Sequence, residues 1–144
     1  KFAMTAGKIT VNNASIWRPL LDIRDAVSAY LRAIQADYLI SGIYNISSEN
    51  YTVGQVGDMV KHEVEKLSTN KIKMEIKHIE DFRNYKVTTE RAKTYLGYRS
   101  RYTVEDIIND LYEHKEYYED YDKDEFYNIK IFKKIDNKNA SVFK

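Results

Sequence analysis

No cysteine occurs anywhere in the 144 residues. A disulfide framework and any cysteine-based zinc site are thereby excluded, which fits a protein of the cytoplasm. Neither sign of charge is in excess: 23 Lys and Arg face 22 Asp and Glu, a formal net charge of +1. No global field therefore draws the chain to nucleic acid or to an anionic membrane. No run approaches the ~20 consecutive apolar residues needed to span a bilayer. Lys1 to Gly7 carries no long apolar stretch of the kind that signals secretion. The expected location is therefore the cytoplasm. The N-x-S/T triplets at Asn13, Asn45, Asn50 and Asn139 read as chance in an Asn-rich chain rather than as glycan acceptors. His62, His78 and His114 show no i+4 partner and no Glu-x-x-His spacing, so no metal site is indicated. His78 reads instead as a partly buried core residue. Gly54 and Gly57 do not form G-x-G-x-x-G after a strand, so they are not a dinucleotide loop.

What is present is patterned. The 43% hydrophobic content is ordinary for a globular chain, and the length suits one domain or a large piece of one. Ile9-Thr10-Val11 is a short strand-like run. Asp22 can cap a helix whose first turn carries Asp25, and Ala26, Val27, Tyr30, Leu31 and Ile34 then share one face. Ile43 to Ile46 reads as a short strand. Thr52 and Gln55 have capping-box spacing, and Val53, Val56, Val60, Val64 and Leu67 form the stripe of the helix they open. From Ile72 to His78 the period changes to two, which predicts a half-buried strand. Thr88 or Thr89 opens a short helix closed by Leu96-Gly97. Thr103 with Asp106 opens another, lined by Val104, Ile107, Ile108, Leu111 and Tyr118. The fold class is mixed α/β. Residues 119–144 turn acidic, then basic, and are expected to form a loosely ordered tail with one added strand at Tyr127 to Phe132. The tyrosines from Tyr112 to Tyr127 lack a matching basic groove, so they are read as packing rather than base-stacking residues.

Two segments could carry binding chemistry. In Trp17-Arg18-Pro19-Leu20-Leu21-Asp22 an arginine stands just before a helix start. Its planar guanidinium suits phosphate oxygens, and a nearby helix N-terminus favours an anion. In Asp81-Phe82-Arg83-Asn84-Tyr85-Lys86-Val87 a second arginine lies in a loop between a strand and a helix cap. On local pattern alone the plainer readings lead: Arg18 paired with Asp22 or Asp25 at the surface, and Arg83 in a solvated loop beside Asp81.

The order of the motifs changes that balance. Ile9-Thr10-Val11, Arg18-Pro19-Leu20-Leu21-Asp22-Ile23-Arg24-Asp25, Gly42-Ile43-Tyr44-Asn45-Ile46 and Tyr51-Thr52-Val53 come first. Asp81-Phe82-Arg83-Asn84-Tyr85-Lys86-Val87, Ala92-Lys93, Leu96-Gly97-Tyr98 and Tyr102-Thr103-Val104-Glu105-Asp106 follow. Taken in sequence over about residues 1–115, they resemble the C-terminal half of extended short-chain dehydrogenase/reductases, within them the NAD-dependent nucleotide-sugar epimerases and dehydratases. The resemblance implies the end of a Rossmann-type parallel sheet plus a small α+β substrate-binding lobe, residues 1–118. It implies that Arg18 and Arg83 hold the diphosphate of a nucleotide-sugar, and that Asn45 has a structural role. Asp22 stands where the family often has histidine.

The family's glycine-rich cofactor loop and its catalytic Tyr-x-x-x-Lys are not in this sequence: none of its 13 tyrosines has a lysine four residues on. The resemblance thus implies NAD bound by an N-terminal half preceding residue 1, a truncated chain, and no catalytic residue here. The expected partners are a nucleotide-sugar, that NAD-binding half, and another copy through an unsatisfied strand edge at Ile43–Asn45. The alternatives are a non-catalytic nucleotide-sugar-binding or assembly module, or one half of a split enzyme.

Overall fold

A computed structural model describes residues 1–80, 83–118, 120 and 123–142. The chain forms two compact units, Lys1–Tyr112 and Glu113–Lys144. The first opens with a single-turn helix, α1 (Phe2–Ala6), closed by Gly7 in the left-handed region. Strand β1 (Lys8–Asn12) follows, then β2 (Trp17–Leu20), helix α2 (Ile23–Gln35), β3 (Glu49–Thr52), α3 (Val53–Leu67), β4 (Lys73–Lys77), α4 (Glu90–Leu96) and α5 (Val104–Glu113).

The local signals fixed several of these elements where the spacing predicts them. The Asp22 carboxylate accepts from the Arg24 N–H at 2.7 Å and so caps α2. Thr52 and Gln55 exchange both bonds of a capping box. The Thr103 hydroxyl accepts from the Asp106 N–H at 3.2 Å, and the Asp106 carboxylate accepts in return from the Thr103 N–H at 2.8 Å. Gly97, at φ 61°, closes α4, where any side chain would be strained.

The strands make two small sheets. β1 pairs parallel with β4, from Lys8 opposite Lys73 to Asn12 opposite Lys77. β2 pairs antiparallel with β3, with Arg18 opposite Tyr51 and Pro19 opposite Asn50. Helix α3 lies close on β1: a Cβ at Gly57 would sit 2.5 Å from Val11 Cγ2 and 3.3 Å from Met74 Sδ. Gly57 is therefore a packing residue. Ala3, Val64, Ile72, Val104 and Ile108 form one buried cluster, with Leu20, Tyr51 and Met59 against it. Ala29, Ala92 and Tyr98 form a second, joined by Leu21, Tyr44 and Ile46.

Four sequence expectations fail. Ile43 to Ile46 carries no ladder among the described residues; Tyr44 and Ile46 instead pack on the second cluster. A strand-type sequence is satisfied as a strand only beside a partner, and none is offered here. His78 is exposed, because β4 ends at Lys77 and even Ile76 is half open on this face. Tyr127 to Phe132 is no strand. In the second unit a short 3₁₀ turn, Asp124–Phe126, leads into helix α6 (Asn128–Val142). Lys130 and Lys134 of α6 reach back to Asp124 in that turn at 3.0 and 2.5 Å, and the helix satisfies its own backbone. Tyr118 lies beyond the end of α5.

No helix among the described residues is long and apolar enough to cross a membrane. No group of three or more His, Cys, Asp or Glu among them could hold a metal ion.

Candidate functional site

Arg18 sits in the middle of β2, its backbone fixed opposite Tyr51. Its guanidinium donates from Nη1 to the Trp17 carbonyl at 2.9 Å and to the carbonyl of Arg83. The same guanidinium lies 5.7 Å from the centre of the Tyr85 ring. The two arginine-bearing segments, 65 residues apart in sequence, thus meet in one place. What they share is a contact from the Arg18 side chain to the Arg83 backbone; the Arg83 side chain is exposed. The expected contact between Arg83 and Asp81 falls on residue 81, outside the described residues.

Asparagine side chains hold the Arg83 loop in position. The Asn13 amide accepts from the Ile79 N–H at 2.9 Å and donates to its carbonyl at 2.7 Å. Asn13 itself has φ 53°, a left-handed conformation that asparagine tolerates better than most residues. Asn50 does the same for Val87, accepting and donating at 2.9 Å. Asn84, within the loop, accepts from the Trp17 N–H at 2.9 Å. Each amide pairs with backbone groups as a strand neighbour would, so the chain is held at Ile79, Asn84 and Val87. Lys86 completes the clamp, its Nζ 3.4 Å from the centre of the Trp17 ring. Sequence reasoning assigned none of these asparagines to the site.

Beside this clamp, the start of α2 is a network of charge. Asp22 is buried, and Arg24 forks onto both of its oxygens at 2.9 and 2.7 Å. That pairing with Arg24 holds the Asp22 carboxyl below its ordinary value despite burial. Arg24 is raised in turn by Asp22, and stacks 3.8 Å from the centre of the Tyr102 ring. Asp22 is thus a structural residue: it caps a helix and anchors Arg24. Asp25 is 1% exposed. Its carboxylate accepts from the Arg101 N–H at 3.0 and 3.1 Å, the Tyr102 N–H at 3.2 Å and the Ser48 hydroxyl at 3.4 Å. It therefore ties α2 to the entry of α5, a role beyond the helix-dipole one its position suggests. Tyr98 packs nearby, donating to the Ser47 carbonyl at 3.1 Å; burial pushes its phenol up. On β3, Tyr51 donates to Glu49 at 3.0 Å, and burial, reinforced by Glu49, pushes it up to about 12.

An open polar cleft of about 330 Å³ is lined by Ser47, Ser48, Asn50, Thr88, Glu90 and Lys93, among others. Arg18 and Arg83 do not line it. Asn45 is exposed. Gly54 and Gly57 face Ala14 and Val11 from within α3, so they do not cradle a dinucleotide.

No protein-family model and no curated protein matches the sequence. Solved structures do. The ADP-L-glycero-D-manno-heptose-6-epimerase of Helicobacter pylori superimposes at a TM-score of 0.65 with 20% identity, over 78% of this chain and 34% of its own. RMD from Pseudomonas aeruginosa, complexed with NADPH, gives 0.59 with 17% identity, over 74% and 35%. The L-threonine dehydrogenase of Phytophthora infestans gives 0.63 with 15% identity, over 80% and 39%. The chain thus spans little more than a third of the length of these enzymes. It shares the fold of a part of these enzymes, mixed α/β with a small parallel pair.

Proposed function

We propose that this chain is the nucleotide-sugar-binding part of an NAD-dependent epimerase or dehydratase, in which Arg18 and Arg83 hold the substrate's diphosphate. The observation that carries the reading is the meeting of the two arginine segments: Arg18 donates to the Arg83 carbonyl across 65 residues. A diphosphate spread between two cationic side chains needs both segments held in register, and Asn50 and Asn84 supply that. NAD, which would take and return hydride at the sugar, would be held by the N-terminal half that the resemblance implies; Gly54 and Gly57 of α3 face protein atoms and would not cradle it. This chain's own residues would bind and orient the substrate.

The single tryptophan, Trp17, adjoins Arg18 and lies under Lys86. Its fluorescence in the full native chain, read as the difference from Trp17→Phe, is therefore the assay. UDP-glucose or dTDP-glucose should change it saturably, and free glucose should not. Arg18→Ala or Arg83→Ala should weaken binding by at least about tenfold, the loss of one charge-assisted hydrogen bond. Added salt should weaken the wild type more than either variant. If no nucleoside-diphosphate sugar binds, the substrate assignment is wrong. A second reading has its own support, because L-threonine dehydrogenases are among the matched folds. L-Threonine carries no phosphate, so on that reading it would bind in place of the nucleotide-sugars, with little dependence on Arg83.

A further inference from the structure

We infer that helix α6 is a docking surface for an anionic lipid bilayer, on which it lies rather than crossing it. The near-neutral net charge conceals a local asymmetry. Residues 128–144 carry five lysines against one aspartate, whereas residues 113–127 carry seven carboxylates against two lysines. Helix α6 spans Asn128–Val142 in the second unit. At about 100° per residue, Ile129, Ile131, Phe132 and Ile135 fall within one arc of about 160°. Lys130, Lys133 and Lys134 fill the opposite arc. The apolar arc is open: Ile129 is 71% exposed, Phe132 63% and Ile135 47%. A helix with lysines opposite an aliphatic and aromatic stripe lies in the plane of a bilayer surface. Its apolar face enters the boundary between headgroups and acyl chains, and its ammonium groups reach the headgroup phosphates. Such a helix needs none of the length that spanning would require.

Charge selects an anionic occupant. Lys130 and Lys134 pair with Asp124, yet their side chains remain 49% and 59% exposed. Pairs this open are weak, so lipid phosphates, dense at a bilayer surface, can take up the same ammonium groups. Lys133 is exposed as well. Asp136 then decides between a bilayer and a protein. It stands seven residues after Ile129, where a helix seated in a protein groove or paired with its own copy would place its next apolar anchor. In either place the carboxylate would be taken out of water at a cost. Asp136 is exposed, and on a bilayer it stays in the hydrated headgroup layer.

The full native chain is centrifuged with sucrose-loaded vesicles of phosphatidylcholine, with or without phosphatidylglycerol as about a third of the lipid. Saturable sedimentation is expected with the anionic vesicles. It should be at least about tenfold weaker with the neutral ones and mostly lost at about 1 M NaCl. Lys133→Glu should weaken binding at least about tenfold by reversing a charge at the surface. Phe132→Ser should do the same by removing apolar contact, and Phe132→Leu should keep most of the binding, within about threefold of wild type. Both side chains are exposed, so neither variant removes a core contact, and circular dichroism checks that each chain stays folded. Lys71→Glu makes the same change of net charge on an exposed lysine of the first unit and should leave binding within about twofold. No sedimentation with either vesicle overturns the inference, and so does equal binding to both. Equal loss in Lys71→Glu overturns it by showing that net charge alone draws the chain. Unchanged binding by Phe132→Ser overturns it by showing that the apolar arc does not dock. Self-association without lipid that Phe132→Ser abolishes would make a second copy the occupant, and overturns it too.

Discussion

Asp25 shows how one side chain can organise a lobe. A carboxylate buried to this degree is tolerated because two backbone N–H groups and a hydroxyl surround it. Asp25→Ala leaves the Arg101 and Tyr102 N–H groups without their acceptor. It is expected to destabilise the folded chain by about 2–4 kcal/mol, against about 1–2 for Asp25→Asn, which keeps one acceptor oxygen. Urea unfolding midpoints of the two variants check this, and equal losses would show that charge, rather than the acceptor, matters there. Asn50 is the second case. Its amide both donates to and accepts from Val87, so Asn50→Asp keeps the acceptor and loses the donor. The variant should stay folded, lose about 1 kcal/mol, and weaken nucleotide-sugar binding about threefold to tenfold although Asn50 touches no phosphate on this reading. Trp17 titration beside a thermal melt separates the two effects. Unchanged affinity would mean that the Arg83 loop needs no clamp.

At the scale of elements, local chemistry was legible and pairing was not. Asp22, Thr52 with Gln55, Thr103 with Asp106, and Gly97 mark helix ends through bonds spanning at most a turn, and the folded chain uses them all. β2 and β3 were missed because each has four residues, one contains Pro19 and the other begins Glu49-Asn50. Those residues read as turn and loop until the partner strand is known. The asparagine clamps were missed for the same reason, their partners lying 37 to 67 residues away. Asparagine excess alone looks like composition bias. Arg18 and Arg83 stood out only through the order of the flanking motifs. In α6 a short alternating run was mistaken for a strand, and the deciding contacts are those of Lys130 and Lys134 with Asp124. Because those groups are half exposed, the pairs should be weak and salt-sensitive. Asp124→Asn should lower helical circular dichroism at low ionic strength, and the difference should disappear at about 1 M NaCl. A difference that persists in high salt would place the effect in the 3₁₀ turn rather than in the ion pairs.

For the molecule as a whole, the lowered carboxyl groups predict the shape of the acid limb. Asp22, Glu65, Asp106 and Asp124 are all held below their ordinary values, 3.8 for Asp and 4.5 for Glu. The leading causes are hydrogen bonds to the ionised form: from Arg24, the Ile72 N–H, the Thr103 N–H and Lys134 respectively. A group whose folded value lies below its unfolded value binds fewer protons when folded. Its contribution is complete above the unfolded value and is lost as pH falls through the folded one. Stability should therefore be level from neutrality down to about pH 5 and fall steeply below about pH 4. Tyr51 and Tyr98 act at the other end. Their phenols are held above 10.0 by burial, so the unfolded chain releases those protons first and stability should fall as pH rises past about 10. Urea unfolding across the pH range tests both limbs, with Asp22→Asn as the internal check. The gap between wild type and this variant should be widest at pH 6 to 7 and narrow progressively as pH falls below the ordinary aspartate value of 3.8. A gap that stays constant across that range would mean that Asp22 acts as an uncharged helix cap and that its pairing with Arg24 adds nothing to folding.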